Sequence, residues 1–194
     1  MAVFTEGILG QPPEPISIDV QARSLGSFFS ALDGVFRGLH LNSDAEGLVI
    51  VADSDDSDLH ELDYDKAENE RCRFCKIRRI IGRAQSQLKA RRGRTELKVA
   101  IGLAVPAIEA WYLVGENHEV GEAQWKQALS SDRLAFSRPQ LKNLVYGTDR
   151  PSLEHETDCA VAEARRIIAD PQAIESAFPI GFGLTAQAIR SWKS

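Results

Sequence analysis

Four carboxylates follow directly after an apolar run between Gly47 and Asp58. The run reads Gly-Leu-Val-Ile-Val-Ala, and acidic side chains then occupy positions 53, 55, 56 and 58. An apolar stretch of this length, rich in Val and Ile, is typical of a strand buried on both faces of a parallel sheet. Open α/β sheets bind ligands at the carboxyl ends of their strands, and clustered carboxylate oxygens suit hard divalent cations. The pattern therefore predicts a metal site at a strand tip, with Asp53 and Asp55 as its first ligands.

The spacing of these aspartates supports a shared ion. Asp53 and Asp55 are two residues apart, so they face the same side of a continuing strand, and they can still converge on one ion if the strand turns. Asp56 and Asp58 are then candidates for an outer shell or a second ion. The alternative is structural, because Asp and Ser after a strand also form Asx turns that cap the following chain. The apolar run in front of the motif favours the metal site.

Two glutamates are candidates for the same edge of the sheet. Glu109 comes three residues after Pro106, at the first turn of a helix that follows another predicted strand, so parallel strands would bring it beside the aspartates. The helix dipole alone also favours a carboxylate there, but the neighbours of Glu109 in Ile-Glu-Ala-Trp-Tyr-Leu are apolar, where a Glu needs a partner such as a cation. Glu6, before Gly7, is a candidate general base or acid at the tip of a first strand, or else an exposed residue of a frayed terminus.

Charge is distributed unevenly along the chain, although the net charge is only −5. Nine acidic residues and one basic residue lie between Val51 and Glu70, whereas eleven of the 23 Lys and Arg residues lie between Arg71 and Lys98. A basic segment beside a carboxylate site suits a polyanion whose phosphate meets a divalent ion. A solvated helix face is the alternative interpretation of the basic segment.

Length and composition predict a cytoplasmic protein with a core of its own. At 194 residues and 43% hydrophobic, the chain fits one α/β domain with a helical extension. Three cysteines argue against a disulfide framework and fit a reducing compartment. No secretory leader is recognisable, and no apolar run approaches the ~18 to 20 residues of a membrane span.

Hydrophobic periodicity predicts strands early in the chain and helices late. The predicted strands are Ala2–Thr5, Ile16–Val20, the Asp-tipped strand from Gly47, and Thr95–Val105, with a loop from Gly7 to Pro15. The predicted helices are 24–40, 66–91, 107–114, 121–130, 137–146, 152–170 and 184–192. One α/β core with a helical C-terminal portion follows from this order.

Other possible sites are weaker in the sequence. Cys72 and Cys75 form a single Cys-x-x-Cys pair, which is more typical of ordinary thiols than of zinc, and the four histidines show no ligand spacing. The polar stretch from Arg138 to Lys142 is either a substrate-contacting segment or a plain connector.

The combined motifs resemble a known fold. A Glu-Gly after a first strand, an apolar strand that ends in Asp-x-Asp, and Pro-x-x-Glu-Ala-Trp after a later strand resemble the Toprim fold. They are most similar to small bacterial relatives of the nuclease domain of the overcoming-lysogenization-defect family. The resemblance covers residues 1–115 and implies a Toprim-like, Rossmann-like core with a mostly parallel sheet and flanking helices, leaving 116–194 as a helical extension packed on the same domain.

The resemblance implies a metal-dependent nuclease or phosphohydrolase with a role in anti-phage defence. Asp53, Asp55 and Glu109 would hold one or two Mg²⁺ or Mn²⁺ ions, Glu6 would move the proton, and DNA or RNA would be the substrate. The basic residues expected to contact phosphates are Arg78, Arg79, Arg83, Lys89, Arg91, Arg92 and Arg94. The alternatives are a non-catalytic subunit that binds metal or a protein partner in a larger bacterial system, and a phosphohydrolase acting on nucleotides.

Overall fold

A computed structural model describes residues 1–16, 24–55, 57–66, 69–91, 93–117, 119–131 and 136–193. The described chain is mixed α/β, which confirms the predicted class. Its strands are β1 (Gly47–Asp53) and β2 (Lys98–Ala104). Its helices are α1 (Ala2–Leu9), α2 (Leu25–Asn42), α3 (Arg73–Gln87), α4 (Ile108–Tyr112), α5 (Glu122–Ser130), α6 (Arg138–Tyr146), α7 (Leu153–Ile168), α8 (Pro171–Ala177) and α9 (Gly183–Arg190).

Two parallel strands form the sheet of the described chain. β1 and β2 pair in register from Gly47 opposite Lys98 to Asp53 opposite Ala104. Because the pairing is parallel, both strands end at the same edge, with Asp53 at one tip and the turn into α4 at the other. The crossover between the strands passes through α3, as a parallel connection requires.

The sheet lies between two layers of helices. On one face, Ile50 packs in a cluster with Phe36 of α2 and Ile77 of α3. On the other face, Val49 and Val51 pack against the larger cluster formed with α1, α4 and the C-terminal helices. Side chains therefore leave β1 alternately towards two apolar clusters, which is why this strand reads as a continuous apolar run.

The N-terminus differs from its prediction. The strand predicted for Ala2–Thr5 is wrong, as is the loop predicted to begin at Gly7, because both fall in α1. Phe4 is fully buried against Trp111 and Phe182, so tertiary packing sets the conformation of this short segment. The predicted strand Ile16–Val20 lies outside the described residues except for Ile16.

The C-terminal helices complete the core around the sheet. Thr185 of α9 donates its hydroxyl to the Ile101 carbonyl of β2 at 2.9 Å, and Lys98 donates to the Trp192 carbonyl at 2.6 Å. The boundary near residue 115 stays a prediction, although α9 packs directly on β2. None of the helices described is long and apolar enough to cross a bilayer.

Candidate active site

Main-chain bonds between two loops fix the edge of the sheet where β1 ends. Beyond the last pair of the ladder, the Ser54 N–H donates to the Ala104 carbonyl at 2.7 Å and the Asp55 N–H donates to the Pro106 carbonyl at 2.9 Å. The Asp53 side chain accepts the Ile108 N–H at 3.0 Å, at the start of α4. Asp53 thus receives an otherwise unpaired N–H at a helix start, a position that favours a carboxylate.

Two arginines from different helices converge on the aspartates. Arg138 Nη2 lies 2.5 Å from Asp53 Oδ2, and Arg138 Nη1 lies 2.8 Å from Asp55 Oδ1. Arg73 donates to the Asp53 carbonyl and to Asp55 Oδ2, both at 2.6 Å. Asp55 Oδ1 is buried and makes no hydrogen bond. Its 2.8 Å contact with Arg138 is therefore an ion pair in which the angle does not suit a hydrogen bond. Asp53 and Asp55 therefore both contact the guanidinium of Arg138.

Glu109 is buried beside this pair. It lies in the first turn of α4 with only 2% of its surface exposed, and Lys142 Nζ of α6 is 3.8 Å from its Oε1. The same ammonium group is 3.8 Å from Glu156 of α7. Lys142 therefore partly balances two carboxylates, one of which is buried, and a buried carboxylate requires such a partner.

Burial and neighbouring negative charges raise the pKa values of Asp53, Tyr112 and Tyr146. Burial raises the pKa of Asp53 to about 6; the Arg138 charge opposes this rise, and the charges of Glu109 and Asp55 add to it. Burial, and after it the negative charge of Glu109, raises the pKa of the Tyr112 and Tyr146 phenols. The negative charge of Glu109 therefore opposes the ionisation of Asp53 and of both phenols.

The remaining acidic candidates lie outside this group. Asp56 is not among the described residues. Asp58 accepts a hydrogen bond from Asn69 at 2.9 Å and pairs with Arg71 at 3.5 Å. Glu6 is exposed on α1 rather than at a strand tip, and no side-chain hydrogen bond or ion pair is found for it within the described residues.

The basic residues predicted to bind nucleic acid differ in their surroundings. Arg91 is buried and donates to the carbonyls of Ser43 at 2.5 Å, Ala45 at 2.6 Å and Thr95 at 3.3 Å, so its guanidinium holds the loop before β1. Arg94 pairs with Asp44 at 3.0 Å, and Arg78 donates to the Tyr64 carbonyl at 3.0 Å. Those with exposed side chains are Arg79, Arg83, Lys89 and Arg94. Arg92 is outside the described residues.

An apolar groove of about 540 Å³ opens along β1 and ends at Asp53. α2 and β1 supply most of its described walls, and Asp53 is the acidic side chain among the described lining residues. The described residues that line this groove include no Lys or Arg, so the arginines that contact Asp53 and Asp55 lie outside it.

A different set of residues satisfies the geometry of a close metal cluster. Among the described residues, His60, Cys72 and Cys75 bring one ligand atom each within 4.8 Å of one another, and all three are buried. Asp53, Asp55 and Glu109 do not converge as tightly. Burial raises the pKa of the Cys72 thiol to about 11.

The positions of His60, Arg73 and Arg138 are not predictable from local sequence patterns. The spacing of the histidines does not predict that His60 lies beside Cys72 and Cys75. Cys72 is twelve residues further along the chain, and the intervening loop places the two side chains next to each other. Arg73 is one of many basic residues between Arg71 and Lys98, so the sequence does not distinguish it from its neighbours. Arg138 is 85 residues from Asp53, and its only signal is the polar stretch that also suits a connector.

Comparisons with family models, with curated proteins and with solved structures found no match to this chain.

Proposed function

We propose that this chain is a divalent-metal-dependent enzyme of phosphoryl transfer, with a nucleic-acid phosphodiester as its substrate. The observation that carries the proposal is the convergence of Asp53 and Asp55 on the single guanidinium of Arg138, beside buried Glu109. Two carboxylates that share one cationic partner can also share a metal ion, and their all-oxygen chemistry suits Mg²⁺ or Mn²⁺.

The donor atoms at the strand tip fit such an ion. Asp55 Oδ1 is a buried oxygen with no hydrogen bond, and Arg138, which faces it, keeps 48% of its side chain exposed and can move away. Asp53 and Asp55 would hold the ion, with Glu109 contributing from the start of α4. When bound, the ion would neutralise charge on the phosphate and make water more acidic.

Cations of the chain itself would bind the phosphate. Arg138, released from the aspartates, offers a planar fork of donors that matches phosphate oxygens, and Lys142 lies on the same helix one turn further on. Arg73 remains bonded to the Asp53 carbonyl and orients the tip. Exposed Arg79, Arg83 and Lys89 would then extend the contact along a polyanion.

The parallel pairing of β1 and β2 supports the Toprim-like relationship that we infer. The pairing gives Asp-x-Asp and Pro-x-x-Glu-Ala-Trp the common sheet edge that the resemblance implies. A role in bacterial anti-phage defence follows from that resemblance alone.

A non-catalytic subunit that binds metal or a protein partner is the second candidate. The exposed position of Glu6 on α1 favours it, because the resemblance assigns Glu6 the proton transfer. This candidate predicts Mn²⁺ binding that depends on Asp53 and Asp55 without cleavage of any substrate.

The test is cleavage of DNA and RNA by the purified chain with Mg²⁺ or Mn²⁺. We expect EDTA to abolish cleavage, and Asp53→Asn and Asp55→Asn to lower it by about 100-fold or more, because both remove metal affinity and charge stabilisation. Asp63→Asn, at an exposed carboxylate that pairs with Lys66, is the control and should stay within about twofold of wild type. Cleavage that survives EDTA and both site variants would refute the proposal.

A further inference from the structure

Three side chains with metal-binding atoms meet in the interior beside the start of α3. His60 Nδ1 lies 3.7 Å from Cys72 Sγ and 3.5 Å from Cys75 Sγ. Cys72 is the residue before the first turn of α3 and Cys75 lies within that turn, while His60 comes from the loop after β1. Both cysteines are free thiols. The cluster therefore joins two separate segments of the chain.

The separations match those around a tetrahedral ion. With a Zn–S distance of about 2.3 Å and a Zn–N distance of about 2.0 to 2.1 Å, two ligand atoms of a tetrahedron lie about 3.6 Å apart for sulfur and nitrogen. The measured values of 3.5 and 3.7 Å lie on either side of this length. The ring of His60 stacks on Phe74 at 4.2 Å, which holds its Nδ1 towards the sulfurs.

We propose that His60 Nδ1 and the sulfurs of Cys72 and Cys75 bind a zinc ion. Two sulfurs and one imidazole form a ligand set that prefers zinc to the hard cations of the carboxylate site. Three ligands come from the described chain, and an exogenous ligand such as water takes the fourth position.

The ion would be a structural clamp for the neighbouring carboxylate site. Arg73 lies between the two cysteines, and its guanidinium bonds the Asp53 carbonyl and Asp55 Oδ2. Tying Cys72 and Cys75 to His60 would fix the first turn of α3 against the loop after β1, and with it the backbone of Arg73. The zinc site does not rest on the proposed function, because its ligands are separate from those of the carboxylate site.

The first experiment measures metal in the full chain, purified without a histidine tag. We expect about one zinc per chain, and we expect Co²⁺ added to the metal-free chain to give tetrahedral absorption with a thiolate charge-transfer band. Cys72→Ser and Cys75→Ser should each weaken zinc binding on the order of 100-fold or more. Cys159→Ser is the matched control, because Cys159 also contacts a histidine, His155 at 3.8 Å, yet belongs to no such cluster of described residues. This variant should keep the zinc.

A gain-of-signal variant keeps the test decisive if the serine variants fail to fold. His60→Cys replaces the nitrogen ligand by a third thiolate, so it should retain zinc and raise the cobalt charge-transfer intensity by about half. The proposal is overturned if the wild-type chain takes up neither zinc nor cobalt with a thiolate band, or if Cys72 and Cys75 are found joined in a disulfide. It is also overturned if Cys159→Ser alone removes the metal.

Discussion

At the scale of single residues, the negative charge of Asp53 lowers the stability of the folded chain. It is partly buried at the end of β1, close enough to Glu109 and Asp55 for both charges to oppose its ionisation. Arg138 offsets part of this cost, and the Ile108 N–H offsets another part. Such an arrangement lowers stability in order to keep carboxylates together, which is a common property of ligand sites.

Replacing Asp53 by Asn should therefore stabilise the folded chain at alkaline pH. Burial raises the folded-state pKa of Asp53 from its ordinary value of 3.8 to about 6. A raised acid pKa adds stability that is fully present below the unfolded value and is lost as pH rises through the folded value. The cost at pH 8 is up to about 3 kcal/mol. Asn cannot ionise and can still accept the Ile108 N–H.

Denaturant unfolding at pH 8 and near pH 3 measures this effect. We expect Asp53→Asn to be more stable than wild type by about 1 to 3 kcal/mol at pH 8 and close to wild type near pH 3. Asp63→Asn is again the control and should differ by less than about 0.5 kcal/mol at both pH values. A lower stability of Asp53→Asn at pH 8 would show that the Arg138 ion pair outweighs the cost of burial.

The sequence predicts part of the site at this scale and misses the rest for a physical reason. Asp53, Asp55 and Glu109 are close in the fold because two parallel strands end together, and hydrophobic patterning reveals those strands. Arg138 and His60 reach their partners through tertiary packing of helices and loops. No local periodicity encodes that packing.

At the scale of elements, most helices and both described strands follow their predicted patterns. α2 begins at the predicted cap, because Ser24 accepts the Ser27 N–H at 3.2 Å. α3 is shorter than the predicted helix 66–91, because Cys72 and Leu88 adopt extended backbone at its two ends. α1 was missed because Gly7 is a poor helix former. Here Gly7 lies against Ile168, where an added Cβ would be 1.9 Å from a side-chain carbon.

The packing of the turn before α9 against β2 depends on the glycine at position 181. A Cβ at this position would lie 2.1 Å from the Leu103 carbonyl oxygen, a backbone atom that cannot easily move. The Gly181 N–H also donates to Glu122, and its carbonyl accepts the Leu103 N–H at 3.4 Å. We expect Gly181→Ala to lower the free energy of unfolding by about 2 to 4 kcal/mol, as thermal and urea unfolding would measure.

Gly34→Ala is the matched control for Gly181→Ala. Gly34 lies in α2 and is exposed, and a Cβ added there would have no described residue within 4 Å apart from its chain neighbours and its own helix backbone. Alanine there should raise stability by about 0.5 to 1 kcal/mol through helix propensity. Equal effects of the two substitutions would contradict the close packing of the turn on β2.

At the scale of the whole molecule, the two ends of the sequence build one core. Phe4 of α1 contacts Trp111 and Phe182, which come from the middle and the end of the chain. The N-terminal part carries the strands and the metal-ligand candidates, and the later helices supply Arg138, Lys142 and one of the two layers that cover the sheet. Composition predicts the size of this core, whereas its construction from distant segments follows only from the fold.

A chain cut after residue 115 should therefore fail to fold by itself. It would lose Phe178, Phe182 and Ile189, all fully buried, and the hydroxyl that Thr185 donates to the Ile101 carbonyl. One face of the sheet would be exposed, so the apolar area left in water would exceed what a marginally stable domain tolerates. We expect 1–115 to bind a hydrophobic dye and to unfold without a cooperative transition, while the full chain unfolds cooperatively.

Mixing 1–115 with 116–194 should restore part of the cooperative transition. A cooperative melt of 1–115 alone would instead show that the α/β part is an autonomous domain and that the C-terminal helices only adjoin it.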